Sequence, residues 1–304
     1  MRKMLFRVTT FLLLLCVALQ PLCVRAEQAC SLELEYSKDG AGFSGLEIRI
    51  YRVADLSGSG EYALCAPFDD LPVKIQGITS QKEWRDAADT LAAYAISGNM
   101  EPRQTGVTDS SGRVLFSQLD WGIYLVLGTE AKRDGCVYRF ENFCIFLPTP
   151  GTDGSWEHAV RAKPKCTVTQ EPEEPGLCSY QVVKLWKDTG LRALRPEYIT
   201  VDILQNGILR ETVKLSADNG WCYSWTAPED GSLWTVVERD VPDAYTVVIT
   251  SSGTTFTLTN SRPAPGVDPP TTGDTFPLKR YLTVMAVSGI LLALVGTVYK
   301  RKRG

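Results

Sequence analysis

The chain has 304 residues, 44% hydrophobic and 22% charged, with a net charge of −3 at neutral pH. That balance carries no basic excess and argues against nucleic acid as a partner, while the length allows about two domains. With a single histidine, no phosphate loop and no metal-ligand or paired-carboxylate spacing, the chain reads as a non-enzyme with no cofactor and no bound metal.

Residues 1–26 begin with a basic head (Arg2, Lys3, Arg7), continue as an apolar run and end on Val24-Arg25-Ala26. This is the pattern of a secretory signal peptide, so the mature chain is expected to start near Glu27, outside the cytoplasm. Of nine cysteines, Cys16 and Cys23 leave with that peptide, and the remaining seven are an odd count in a compartment that permits disulfides. Residues 27–166 alternate as strands in SLELEY, LEIRIYRV, RVLFSQL and IYLVLG, punctuated by SKDGAGFSG, DSSG and DWG. One stretch breaks the alternation. Ser80 and Glu83 form a capping box, Trp84, Ala88, Leu91 and Ala95 recur at helical spacing, and Gly98 is a stop signal. The expectation is a β-sandwich with one inserted amphipathic helix, Trp84 being its core anchor.

TQEPEEPG is proline-rich and acidic, and places a linker at 167–177. Residues 178–262 then supply seven short strands, YQVVKLW, YITVDILQNG, RETVKLS, WCYSWTA, SLWTVVERD, AYTVVIT and TTFTLTNS, separated by Asn-Gly and Asp-Gly turns. That spacing predicts an immunoglobulin-like sandwich. The fold class is thus all-β, two immunoglobulin-like sandwiches. Within 263–304 an extended spacer leads to the uncharged span 281–299, which as a helix covers roughly 28 Å, enough to cross a bilayer core. Lys300 to Arg303 follow and are expected to stay cytoplasmic.

Several resemblances attach to these segments. PPTTGD, 269–274, resembles the Leu-Pro-x-Thr-Gly wall-sorting signal of Gram-positive surface proteins, with Pro270, Thr272 and Gly273 matching and Pro269 in place of Leu. The resemblance implies cleavage by a sortase between Thr272 and Gly273, then covalent attachment to peptidoglycan. VVKLWKD, RPEYITVDILQNG, NGWCYSW, WTVVERDVPDAY and FTLTN are similar to the collagen-adhesin B-type (CnaB) repeat. In that family a first-strand lysine and a last-strand asparagine join by an isopeptide bond that a buried carboxyl promotes; the matching residues are Lys184, Asn260 and Glu238. Burial favours the neutral forms of amine and carboxyl alike, which suits a nucleophile beside a proton shuttle. The plainer alternative is a strand-face ion pair between Lys184 and Glu238, with Asn260 capping a turn. The first segment resembles the same superfamily but has Glu35 in the lysine position, Gly128 near the carboxyl position and no terminal asparagine, so no such bond is expected there. Cys136 with Cys144, and Cys30 with Cys166, are two pairings that would staple it instead; buried thiols are the alternative.

WEHAVRAKPK resembles the motif of sortase-assembled shaft pilins at Trp156, Val160, Pro164 and Lys165, which implies Lys165 as the acceptor amine. Neighbouring Lys163 is the rival acceptor. WTVVERDVPDAY resembles the pilin E-box at Glu238, Pro242 and Tyr245. Together these imply a pilus subunit joined head to tail by Thr272–Lys165 bonds, whose partners are a sortase, further copies of itself, ancillary pilins and a host surface ligand. A tip or base subunit, or a monomeric wall-anchored adhesin with a CnaB stalk, is the alternative.

Overall fold

The computed structural model describes residues 28–151, 154–171, 176–188 and 191–262. The expected signal peptide (1–26), sorting signal (269–273) and membrane segment (281–299) lie outside them. Among the described residues no helix is long and apolar enough to cross a membrane. The described residues belong to one compact unit.

Period-two alternation builds the first segment. In β1 (Cys30–Glu35) Cys30, Leu32 and Leu34 point inward while Glu33 and Glu35 sit at the surface. The other strands of three or more residues here are β2 (Glu47–Leu56), β3 (Tyr62–Leu64), β4 (Gln104–Val107), β5 (Arg113–Leu119), β6 (Gly122–Val126), β7 (Thr129–Arg133), β8 (Cys136–Phe140), β9 (Phe143–Leu147), β10 (Ala159–Ala162) and β11 (Cys166–Gln170). They pair as β10-β1-β5, as β11-β8-β7, and as β9-β6-β2-β3 with β4 also on β2. The first strand thus lies parallel to a late one, Leu32 opposite Val160 and Leu34 opposite Ala162.

Residues 166–170, at the start of the expected linker, are a strand: Cys166 pairs with Phe140 and Gln170 with Cys136. The acidic, proline-rich composition hid it, because β11 is an edge strand whose side chains face mostly solvent. The two cysteine staples do not form. Cys136 sits on β8 and Cys144 on β9, strands of different sheets, because β8 turns back onto β7 while β9 pairs with β6. Cys166 remains a thiol, so the Cys30–Cys166 pairing is absent too.

Helix α1 (Gln81–Ser97) starts at the expected capping box: the Ser80 hydroxyl accepts from Glu83 N, and the Glu83 carboxylate accepts from Ser80 N. Its burial exceeds one stripe. Ala87, Ala88, Thr90, Leu91, Ala92, Ala93, Tyr94 and Ala95 are all buried, and Trp84 is partly buried against the core, edge-on to Phe146. The reason is a second neighbour: one face of the helix covers the first segment and the other covers the second.

The second segment has the seven expected strands: β12 (Leu177–Lys187), β13 (Tyr198–Gln205), β14 (Ile208–Ser216), β15 (Cys222–Pro228), β16 (Trp234–Glu238), β17 (Thr246–Ser252) and β18 (Thr255–Ser261). Two sheets result, β15-β12-β18-β17 and β14-β13-β16, with β12 parallel to β18. Val182, Val201, Val236, Val247 and Leu258 are fully buried between them. The same apolar cluster runs on through Leu91 and Ala95 of α1 to Ile123 and Leu125 of β6. One continuous core therefore joins the helix, the first segment and the second.

Candidate functional site

A lysine side chain inside a sandwich needs a structural cause. Along β12, Val182, Lys184 and Trp186 share the inward face, and the alternation leaves Leu185 nearly half exposed on the outside. Strand geometry thus drives the amine inward against its solvation preference. It arrives beside the last residue of β16, Glu238, which is 0% exposed. The parallel register sets Trp186 opposite Asn260, so Lys184 and Asn260 are diagonal neighbours on the same face of β12 and β18.

The Glu238 carboxylate bridges them. Lys184 Nζ donates to Glu238 Oε2 at 2.5 Å, and Asn260 Nδ2 donates to Oε1 at 2.8 Å. The ring of Trp186 lies 4.8 Å from the amine and is itself held edge-on by Trp221 and Tyr245. In this dry pocket burial lowers the Lys184 pKa to about 8, partly opposed by the nearby Glu238 charge. Asn260 Oδ1 is buried and lacks a hydrogen-bond partner among the described residues. An orphaned carbonyl beside a buried amine of lowered pKa is costly for stability. It suits a site prepared for attack on that carbonyl's carbon.

A second buried group lies beyond Trp186. The Asp188 carboxylate receives both Arg195 Nε (2.8 Å) and Nη2 (2.5 Å), and Tyr245 OH donates to it at 2.9 Å. The Arg195 hydrogen bond, offset in part by burial, lowers the Asp188 pKa. No local pattern in the sequence marks this clamp, although Tyr245 belongs to the E-box-like stretch. Its role in the structure is to brace the aromatic wall of the Lys184 pocket.

The first segment offers no counterpart. The inward positions of β1 are Leu32 and Leu34, Glu35 faces outward toward Ser37, and Gly128 N–H donates to Asn142 Oδ1 at 2.7 Å. Of the pilin-like residues, Val160 and Pro164 are buried and Trp156 rests 5.6 Å from the Trp121 ring. Lys165 is exposed in the short link between β10 and β11; its carbonyl accepts from Glu141 N, and its amine lies 3.3 Å from Glu141 Oε1. It borders a cavity of about 330 Å³ together with Trp84, Phe143 and Phe146. Lys163 turns the other way, donating to Ser37 Oγ at 2.6 Å. Thr272 and Gly273 lie outside the described residues. Among the described residues no cluster of His, Cys, Asp and Glu has a metal-binding arrangement.

Residues 180–261 match the family model of the Cna protein B-type domain. No curated protein matches the chain. Among solved structures, a single B repeat unit of the collagen-binding surface protein of Staphylococcus aureus is 15% identical, over 78% of this chain and 100% of that one, with a TM-score of 0.27. The full-length major pilin SpaD of Corynebacterium diphtheriae is 17% identical over 78% of this chain and 65% of its own, with a TM-score of 0.31. The fimbrial protein FimP of Actonomyces oris is 14% identical over 75% and 49%, with a TM-score of 0.26. The chain thus spans about half to two thirds of those two fimbrial proteins.

Proposed function

Starting from the Cna protein B-type match over residues 180–261, we propose that this chain is a structural subunit of a sortase-assembled surface pilus, carrying an internal Lys184–Asn260 isopeptide bond. The observation that supports it most directly is the buried Glu238 carboxylate bridging a first-strand lysine and a last-strand asparagine.

The chemistry follows from the three groups. A proton passes from Lys184 Nζ to Glu238, neutralising both in a site where two separated charges are expensive. With the Asn260 amide turned over, the carboxylic acid donates to its Oδ1 and polarises the carbonyl. Lys184 Nζ then bonds to Asn260 Cγ, the Cγ–Nδ2 bond breaks, and the nitrogen leaves as ammonia with protons relayed from the amine through Glu238. Fixed proximity makes a slow reaction occur once, without turnover. Closing a loop of about 75 residues stabilises the fold by roughly 4–5 kcal/mol on the loop-entropy relation used for disulfides. Tension between β12 and β18 then passes through a covalent bond rather than through the ladder.

Between subunits the same class of chemistry recurs. A sortase thiolate attacks the Thr272 carbonyl and releases the chain from Gly273 onward; the Lys165 amine of another copy resolves the thioester. Lys165 borders a cavity with its amine paired to Glu141, whereas the Lys163 amine is paired to Ser37 and Glu35 on another face. Head-to-tail joining does not close on itself, so it produces a filament. Co-expression with a pilin-type sortase is expected to give an SDS-resistant ladder that Lys165→Ala abolishes and Lys163→Ala keeps. A single wall-linked band in the wild type would instead identify a monomeric anchored adhesin.

A further inference from the structure

The carboxylate that serves the cross-link sits at a strand end with an open edge. β16 is the outer strand of its sheet, and the β13–β16 register, with Arg239 N donating to Thr200 O, turns the Glu238 carbonyl away from β13. Left unpaired, a buried carbonyl there would cost free energy comparable to a lost hydrogen bond. Here it is paired from the other segment: Tyr94 OH of α1 donates to Glu238 O at 3.3 Å, in a buried contact spanning 144 residues of sequence.

The contact belongs to a wider closure. One helical turn before Tyr94, the Thr90 hydroxyl accepts from Ile249 N at 2.8 Å, on the outer edge of β17. Val247 N on that same strand donates to Pro72 O at 2.8 Å. So the first segment caps one edge of each sheet of the second, β16 through Tyr94 and β17 through Thr90 and Pro72. All five residues of β16 are buried as a result. Burial, reinforced by the Glu238 charge, raises the Tyr94 phenol above its ordinary range, so it keeps its proton and remains a donor.

We infer that Tyr94 is a positioning residue for the cross-link, and that docking of α1 is a step in its formation: the phenol anchors the Glu238 backbone, which holds the carboxylate between Lys184 and Asn260. This rests on the isopeptide reading above. Reactions between held groups are steeply sensitive to placement, a shift of about 1 Å costing on the order of a hundredfold. The bond of the second segment therefore depends on a helix inserted in the first, and a chain cannot lock its stalk before both segments have folded against each other.

The test follows ammonia loss by intact mass after cell-free synthesis of the full chain. Wild type is expected to lose one ammonia. Tyr94→Phe is expected to lose it roughly five- to tenfold more slowly, the rate equivalent of one buried hydrogen bond. Thr90→Val leaves the Ile249 N–H unpaired on the same helix face without touching Glu238; it should lower the melting temperature yet cross-link at the wild-type rate. Tyr94→Phe reacting as fast as wild type overturns the inference, and so do both variants slowing equally, which would signal a general loss of stability. A wild-type chain that retains its ammonia overturns the cross-link reading itself, and the inference with it.

Discussion

At the residue scale the decisive feature is a lysine facing inward between a valine and a tryptophan. Burial costs the charged amine its hydration, and the structure pairs it with the Glu238 carboxylate at 2.5 Å; on our proposal, proton transfer within that pair frees the reactive neutral amine. That has a distinctive pH signature. Neutral amine with protonated carboxyl holds the same number of protons as the ion pair, so its share stays constant while the pair keeps its proton. Cross-linking is therefore expected to be flat from neutral pH up to about 8, where the lowered Lys184 value lies, and to fall above it. A time course of ammonia loss at several pH values measures this. A rate that climbs through the same region would mean that Glu238 acts only as a charge and that the bare amine is the reactive species. Lys184, Glu238 and Asn260 were legible in the sequence only through its resemblance to the CnaB repeat, whose lysine, carboxyl and asparagine positions they match; alternation alone left a strand-face ion pair equally open. Tyr94 and the Asp188–Arg195 clamp were not, since each acquires its partner through tertiary contacts that leave no local pattern.

At the scale of elements, the strands of the second segment were readable because their turns are sharply marked. Asn206 and Gly207 both have positive φ, 53° and 78°, the geometry that joins twisted strands by two residues. The first segment was less legible. Its short strands β3, β4, β7 and β8 fill in around the longer ones, and β11 comes from a stretch that composition assigns to a linker. The helix was found by its capping box and apolar spacing, but its second buried face was invisible: Thr90 and Tyr94 look like ordinary polar positions until a second sandwich packs on them. Since α1 contributes to both packings, weakening its start should be felt by the whole unit. Ser80→Ala removes the acceptor for Glu83 N and is expected to cost about 1 kcal/mol. Chemical denaturation of the described unit should show a single transition moved to lower denaturant. Two separated transitions, only one of them moved, would contradict the shared role of the helix.

At the scale of the molecule, one apolar cluster joins α1 and β6 to the second segment while another lies beneath β1 and β5, and the parallel pairing of a first strand with a late one recurs in both segments. Only the second places an amine, a carboxyl and an amide at that pairing; the first fills the same inward positions with leucine. On our proposal the division is mechanical. The second segment bears load through a covalent tie across its outermost strands, and the first presents Lys165 for joining to the next copy. Everything in this account turns on whether Lys184 and Asn260 become bonded. The most direct measurement is the intact mass of the purified chain beside its Glu238→Ala variant, with the cross-linked peptide sequenced after digestion. The account predicts a wild-type mass short by one ammonia, a peptide joining Lys184 to Asn260, and the full mass in the variant. A wild-type chain of full mass, with Lys184 and Asn260 recovered in separate peptides, would contradict it.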